Sequence, residues 1–291
     1  MKSPSYIIIS PVRNEEKFIG STIRSVTSQT VLPRRWIIVD DGSTDATGRL
    51  AELAACQHPW IDVVHRQNRG YRKSGSGVVE AFYDGFWRLS GQEWDFLVKL
   101  DGDLDFGPNV FEKILSAFDS EPALGIAGGE IVNQVGDQTV SELKYEPEFH
   151  VRGATKFYRR TCWNQMGGVA SVIGWDTLDE VKANMFGWKT RRITDAEFVH
   201  LRPTGGADGG WRNAFKNGRG SYIIGYHPLY MLCKCLKRIP RRPLFVQSLG
   251  LFAGFITGRF AHVSRIQDRE LMRYLQRQQL RRLFGMQTIW Q

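Results

Sequence analysis

Val98-Lys-Leu-Asp-Gly-Asp-Leu-Asp-Phe106, VKLDGDLDF, sets three carboxylates within nine residues, directly behind the apolar run Trp94–Val98. A chain leaving its own core has little reason to gather acid, because like charges in a cleft raise one another's pKa and destabilise the fold unless a cation intervenes. Two carboxylates around one small residue, Asp101-Gly102-Asp103, can reach one hard divalent cation, with Gly102 allowing the tight bend. Mg²⁺ or Mn²⁺ held by one or two carboxylates keeps open positions that a diphosphate can fill.

Upstream of this stretch the chain alternates strands and helices. Tyr6–Ser10 (YIIIS), Trp36–Asp40 (WIIVD), Asp62–His65 and Asp95–Leu100 read as strands. Asn14 is placed to cap a helix bearing Phe18, Ile19, Ile23 and Val26. Ser43, Thr44 and Asp45 are placed to cap a second helix through Leu50, Leu53 and Ala54, and Gly77–Leu89 forms a third. This order predicts an α/β fold with a mostly parallel sheet covered on both faces, and ligands of such sheets bind at the carboxyl ends of the strands. Polar clusters follow three strands, PVRNEE (11–16), DDGSTD (40–45) and DGDLD (101–105), so they should converge on one edge.

From about Gly125 the pattern turns irregular and reads as an antiparallel section carrying acceptor contacts. Ile173–Val181 (IGWDTLDEV) then leads into a helix ending near Gly187, a left-handed C-cap. A glycine-rich loop follows Arg202-Pro-Thr-Gly205.

The net charge of +9 over 291 residues belongs to the tail. From Trp211 onward there are fifteen Lys and Arg against two acids, whereas the first 210 residues hold 24 basic and 28 acidic groups. We therefore divide the chain into a domain over 1–210, with a nucleotide half to about 105 and an acceptor half after it, and a basic, amphipathic helical extension over 211–291. Leu244–Gly258 (LFVQSLGLFAGFITG) is apolar but short of the roughly 20 residues a membrane span requires. Flanked by Lys237-Arg238, Arg241-Arg242 and Arg259, it suits a membrane interface; docking on the domain or on a second subunit is the alternative. No basic helix interleaved with stacking aromatics points to nucleic acid. Cys56, Cys162, Cys233 and Cys235 lack the spacing of a disulfide framework or zinc site, and MKSPS leads straight into a strand with no signal peptide. A cytoplasmic body, peripheral at the inner face of the membrane, is expected.

The combination Pro11-Val-Arg-Asn-Glu-Glu16, Ile37-Ile-Val-Asp-Asp-Gly-Ser-Thr-Asp45 and Leu100-Asp-Gly-Asp103 resembles the family 2 nucleotide-sugar glycosyltransferases of the GT-A fold over roughly residues 5–205. The resemblance implies a Rossmann-like central sheet flanked by helices and inverting transfer from a nucleoside-diphosphate sugar to a glycan or lipid-linked acceptor. It implies that Pro11, Arg13, Asn14 and Glu15 line the nucleotide pocket and that Asp40 and Asp41 face the nucleoside; by its position alone Asp40 also reads as a helix-capping turn residue, and the two roles can coexist. Asp101 and Gly102 would meet ribose and diphosphate, with Asp103 the metal ligand. Asp105 reads as a solvated turn residue.

The resemblance also implies a catalytic acid pair before a helix ending at Gly. Gly174-Trp-Asp176 keeps the family's eleven-residue distance to Gly187, which selects Asp176 as the base ahead of Asp179 or Glu180. Trp175 stands where the family usually has Glu, and an indole offers a flat surface on which a sugar ring can stack. Arg72 and Lys73 are placed for phosphate contact or for a solvated loop. Arg202 would close over the diphosphate, and His200 is either a further metal ligand or a histidine satisfied at a strand end. Two other readings compete: a sugar-nucleotide pyrophosphorylase, which needs a GxGTR-like loop where this chain has PVRNEE, and a non-catalytic, membrane-associated adaptor.

Overall fold

The computed structural model describes residues 4–71, 75–135, 138–142, 146–202, 209–240 and 245–290. Its first half alternates β1 (Tyr6–Val12), α1 (Ile19–Thr27), β2 (Arg35–Asp40), α2 (Thr47–Gln57), β3 (Ile61–His65), α3 (Ser76–Phe86) and β4 (Phe96–Leu100). β3, β2, β1 and β4 lie side by side in parallel. Alternate residues of β1 enter different cores: Ile8 packs with Trp36, Ile38 and Val98 on one face, Ile7 and Ile9 with Ile37, Val39 and Leu97 on the other. Continuous apolar strands are what a sheet buried on both faces requires.

The parallel strands form the first half of a mixed sheet, and the expected antiparallel section supplies the rest. β4 turns into a short strand, β5 (Leu104–Phe106), and α4 (Val110–Ser120); β6 (Leu124–Val135), β7 (Gln138–Ser141), β8 (Thr155–Arg159), α5 (Arg160–Met166), α6 (Trp175–Met185) and β9 (Lys189–His200) follow. The order continues β4-β8-β6-β9-β5, antiparallel except for β6 beside β9. The antiparallel β9–β5 pairing brings His200 opposite Leu104, returning the chain to the acidic turn after a hundred residues.

Two local expectations change. Asn14 is not a helix cap: α1 begins five residues later, and Asn14, with φ of 54°, uses its side-chain carbonyl to accept the Thr44 N–H at 2.8 Å. Gly102 has no positive φ; its missing side chain matters because a Cβ would lie 2.7 Å from Val12.

The extension contains α7 (Gly210–Ile223), α8 (Pro228–Arg238), α9 (Val246–Phe260) and α10 (Arg269–Leu283). A Cβ on Gly254 would fall 1.9 Å from the Phe215 carbonyl, so α7 and α9 pack almost backbone to backbone. Tyr222, Leu251, Phe255, Leu271 and Leu275 share a core with Leu178 and Val181, joining the extension to the back of α6.

Candidate active site

The carboxyl ends of β1, β2 and β4 gather their polar clusters. The Asp41 N–H bonds the Val12 carbonyl at 2.8 Å, and the Glu15 N–H bonds the Thr47 hydroxyl at 2.7 Å. Asp40 accepts the Ser43 N–H at 2.9 Å, so it does brace the turn before α2, and its other oxygen lies 3.1 Å from His65 Nδ1. Asp41 is held by Arg66 and Arg69, with Arg13 at 4.0 Å. Pro11 is buried at the end of β1. Arg72 and Lys73 fall outside the described residues.

Asp103 is 4% exposed and lies between two cations. Arg202 donates to its Oδ2 through Nε at 3.1 Å and Nη2 at 2.9 Å, and Nη2 also bonds Glu15. His200 points Nε2 at the same oxygen from 3.5 Å, while its Nδ1 lies 3.1 Å from Glu142. Burial alone would lower the His200 pKa, but Asp103 and Glu142 outweigh it and push it up to about 9. Burial, Asp103 and Asp101 drive the Glu15 carboxyl up to about 7 against the pull of Arg202. Asp101 is half-buried and paired with Lys99. Asp105 belongs to strand β5 instead of a turn, and accepts the Ser25 hydroxyl at 2.8 Å.

These residues fit a divalent cation. Glu15 Oε2 is buried without a hydrogen-bond partner, the donors are carboxylate and imidazole, and Glu142 orients the histidine as second partners of metal-bound imidazoles do. Among the described residues no group of three or more His, Cys, Asp or Glu is arranged to hold a metal alone.

Asp176 stands in the first turn of α6, partly exposed. Its neighbours in sequence are buried and engaged. Asp179 accepts from Lys156 at 2.7 Å and from the Tyr158 hydroxyl at 2.6 Å, and Glu180 accepts from Lys156 at 3.0 Å and the Val151 N–H at 2.7 Å. An acceptor molecule can reach Asp176 and cannot reach Asp179, which is 3% exposed. The two parts of the site share a wall: the Asp101 N–H bonds the Ala154 carbonyl at 2.9 Å, and a Cβ on Gly153 would lie 3.3 Å from that of Asp176.

Trp175 does not offer the open stacking face expected of it. Only 7% exposed, its indole lies beneath Lys99 and Lys156, at 5.7 and 5.6 Å from the ring centroid. Lys99, Lys156, Glu142 and the Arg66–Arg69 clamp on Asp41 were not anticipated from sequence; a lysine inside an apolar strand, as in VKL and TKFY, is the signal that could have found the first two.

His150 completes the buried cluster, with Nδ1 3.0 Å from Glu180 and Asp176 and Lys156 also near. Burial opposes its protonation, yet Glu180 raises its pKa above 6.5 overall. A raised histidine stabilises fully below its unfolded value, and the contribution disappears as pH rises through the folded value. The melting-temperature advantage of the native chain over His150→Gln is therefore expected to be largest near pH 6 and to shrink toward pH 9, as thermal melts across that range would show.

A sheet switching from parallel to antiparallel beyond an acid-x-acid turn is the arrangement of glycosyltransferases of the GT-A type. The chain belongs to glycosyl transferase family 2, whose profile matches residues 7–171. It is 34% identical over 135 residues to polyprenol monophosphomannose synthase of Mycolicibacterium smegmatis, an alignment taking in 44% of this chain and 48% of that one. To undecaprenyl-phosphate mannosyltransferase of Micrococcus luteus it is 31% identical over 102 residues, or 33% and 39% of the two chains. The chain thus spans about half the length, or less, of these curated relatives. The fold matches a mannosyltransferase from Pyrobaculum calidifontis in complex with GDP-Man and Mn²⁺, at a TM-score of 0.56 and 18% identity over 94% of this chain and 79% of that one. Among the described residues no helix is long and apolar enough to cross a membrane.

Proposed function

We propose that this glycosyltransferase moves a sugar from a nucleoside-diphosphate sugar to a hydroxyl of a lipid-linked or polysaccharide acceptor at a membrane surface, with inversion. The observation that carries the reading is the shared wall: Asp101 and Asp176 both abut the segment 153–154, which sets a reachable base beside the acids that take the donor. Asp176 accepts the acceptor proton as the new C–O bond forms at the anomeric carbon, and the bond to the diphosphate breaks on the opposite face. Asp103 and, once it has given up its proton, His200 would hold Mg²⁺ or Mn²⁺, which would offset charge on the departing diphosphate. Arg202, released from Glu15 and Asp103, swings to the diphosphate and keeps its charge beside the leaving group. Asp40 and Asp41 face the nucleoside, with Arg13 and Asn14 at the rim.

The relatives favour a second acceptor, since two of them are named for polyprenol phosphate or undecaprenyl phosphate. A phosphate oxygen is already anionic and needs no base. Incubating the protein with donor and either undecaprenyl phosphate or a glycosylated undecaprenyl diphosphate separates the cases: the hydroxyl reading requires product with the second, and product with the first alone contradicts it.

The extension supports the membrane part. Gly209–Gln267 contains ten Lys and Arg and no acid. Leu229, Leu232 and Leu236 on α8 and Leu249, Phe252 and Phe260 on α9 are all exposed, at 40–73%. Exposed apolar residues on a segment whose own sequence is basic and free of acids suit insertion into the headgroup layer of an anionic, inner-face leaflet. Leu232→Glu with Phe252→Glu is expected to release the protein from phosphatidylglycerol vesicles in sedimentation; undiminished pelleting would refute this surface.

A further inference from the structure

The mechanism leaves two buried ammonium groups without a role. Lys99 and Lys156 are directly opposite across the antiparallel β4–β8 ladder, 4% and 0% exposed. Like charges in that arrangement repel, and a lysine is almost never fully buried unless paired. Each has its own partner. Lys99 turns to Asp101, in the acid turn that takes the donor. Lys156 turns to α6, where it donates to the Asp176 carbonyl, to Asp179 Oδ1 at 2.7 Å and to Glu180 Oε1 at 3.0 Å. The Trp175 indole lies against both cations, next in sequence to Asp176.

The start of α6 needs such support. It follows Gly174, whose φ is 84°, and no side chain caps its N-terminus. The first helical turn is the part most prone to fray, and Asp176 lies within it. A carboxylate on a fraying turn would spend little time aimed at the acceptor, and misplacing a reacting group by about 1 Å can cost on the order of 100-fold in rate.

We infer that Lys156 is a positioning residue for the transfer step: with Trp175 packed over it, it clamps the main chain of Asp176 to β8 and so fixes the base relative to the donor acids beside Lys99. Lys156 touches neither substrate nor reacting atoms, and it acts through Asp176. The inference rests on the reading of Asp176 as base.

Lys156→Met alone would strand two buried carboxylates, so the test adds Lys156→Met/Asp179→Asn, which removes one positive and one negative charge together. Amide exchange followed by mass spectrometry should show the 175–181 segment losing protection about tenfold or more, while β1 and β4 stay protected. With the nucleoside-diphosphate sugar selected by calorimetric titration in Mn²⁺, kcat for transfer or donor hydrolysis should fall about 30-fold or more at unchanged donor KM. Wild-type kcat in the folded double variant would overturn the inference. So would loss of protection throughout the chain with kcat and donor affinity falling together, since that describes a merely structural lysine. Asp176→Asn is run in parallel: if it turns over normally, the base assignment fails, whereas a dead Asp176→Asn beside an active double variant refutes the clamp alone.

Discussion

Asp176→Asn is expected to lower kcat by about 10²–10⁴, the contribution typical of a positioned general base, with nucleotide affinity unchanged. The amide keeps the size of the carboxylate and cannot accept the proton. No other acid on α6 can replace it, because Asp179 and Glu180 are sealed in the cluster with Lys156, Tyr158, His150 and the Val151 N–H. Steady-state kinetics with the donor varied would show the loss in kcat and not in KM. A phosphate acceptor would behave differently, since its nucleophile needs no deprotonation, and a variant retaining most of its turnover would move the reading to polyprenyl phosphate.

The second large effect is expected at Asp103. Asp103→Asn should weaken nucleoside-diphosphate binding in Mn²⁺ by roughly 100-fold or more, about 2.7 kcal/mol by the affinity relation, and should remove the dependence on Mn²⁺. Burial works to raise the Asp103 pKa, but His200 and Arg202 more than offset it, so the group stays a carboxylate below its ordinary range. Without that charge His200 and Arg202 would face each other across a neutral amide, and a bound cation would lose a carboxylate donor. Titrations at matched ionic strength would separate this from general screening. Retained Mn²⁺-dependent affinity would place the metal elsewhere on the edge.

The parallel half of the sheet and its ligand edge could be read from sequence because their signals are local. Each strand is a short apolar run, and each polar cluster begins where its run ends. Boundaries moved where side chains serve distant partners, as with Asn14, whose carbonyl goes to Thr44 instead of capping α1. The second half was legible as an irregular antiparallel section and a helix ending near Gly187, without its strand order. Its pairings join β5 to β9 and β6 to β9 across long separations, and no periodicity records which edge a strand will find. Part of the site shares that difficulty: Glu142, which no local signal marks, meets His200 across 58 residues. Trp175 shows the reverse error, where a chemically sound role for an exposed indole yields to burial against two lysines that the local sequence does not bring near it.

Calorimetric titration of the full chain with UDP, GDP and dTDP, each with and without Mn²⁺, addresses the central claim that the acids behind β4 form a cation-assisted nucleoside-diphosphate site. The account predicts that one nucleotide binds and that it does so only with Mn²⁺ present. Folded protein that binds none of the three, or binds one equally well in chelator, would contradict it.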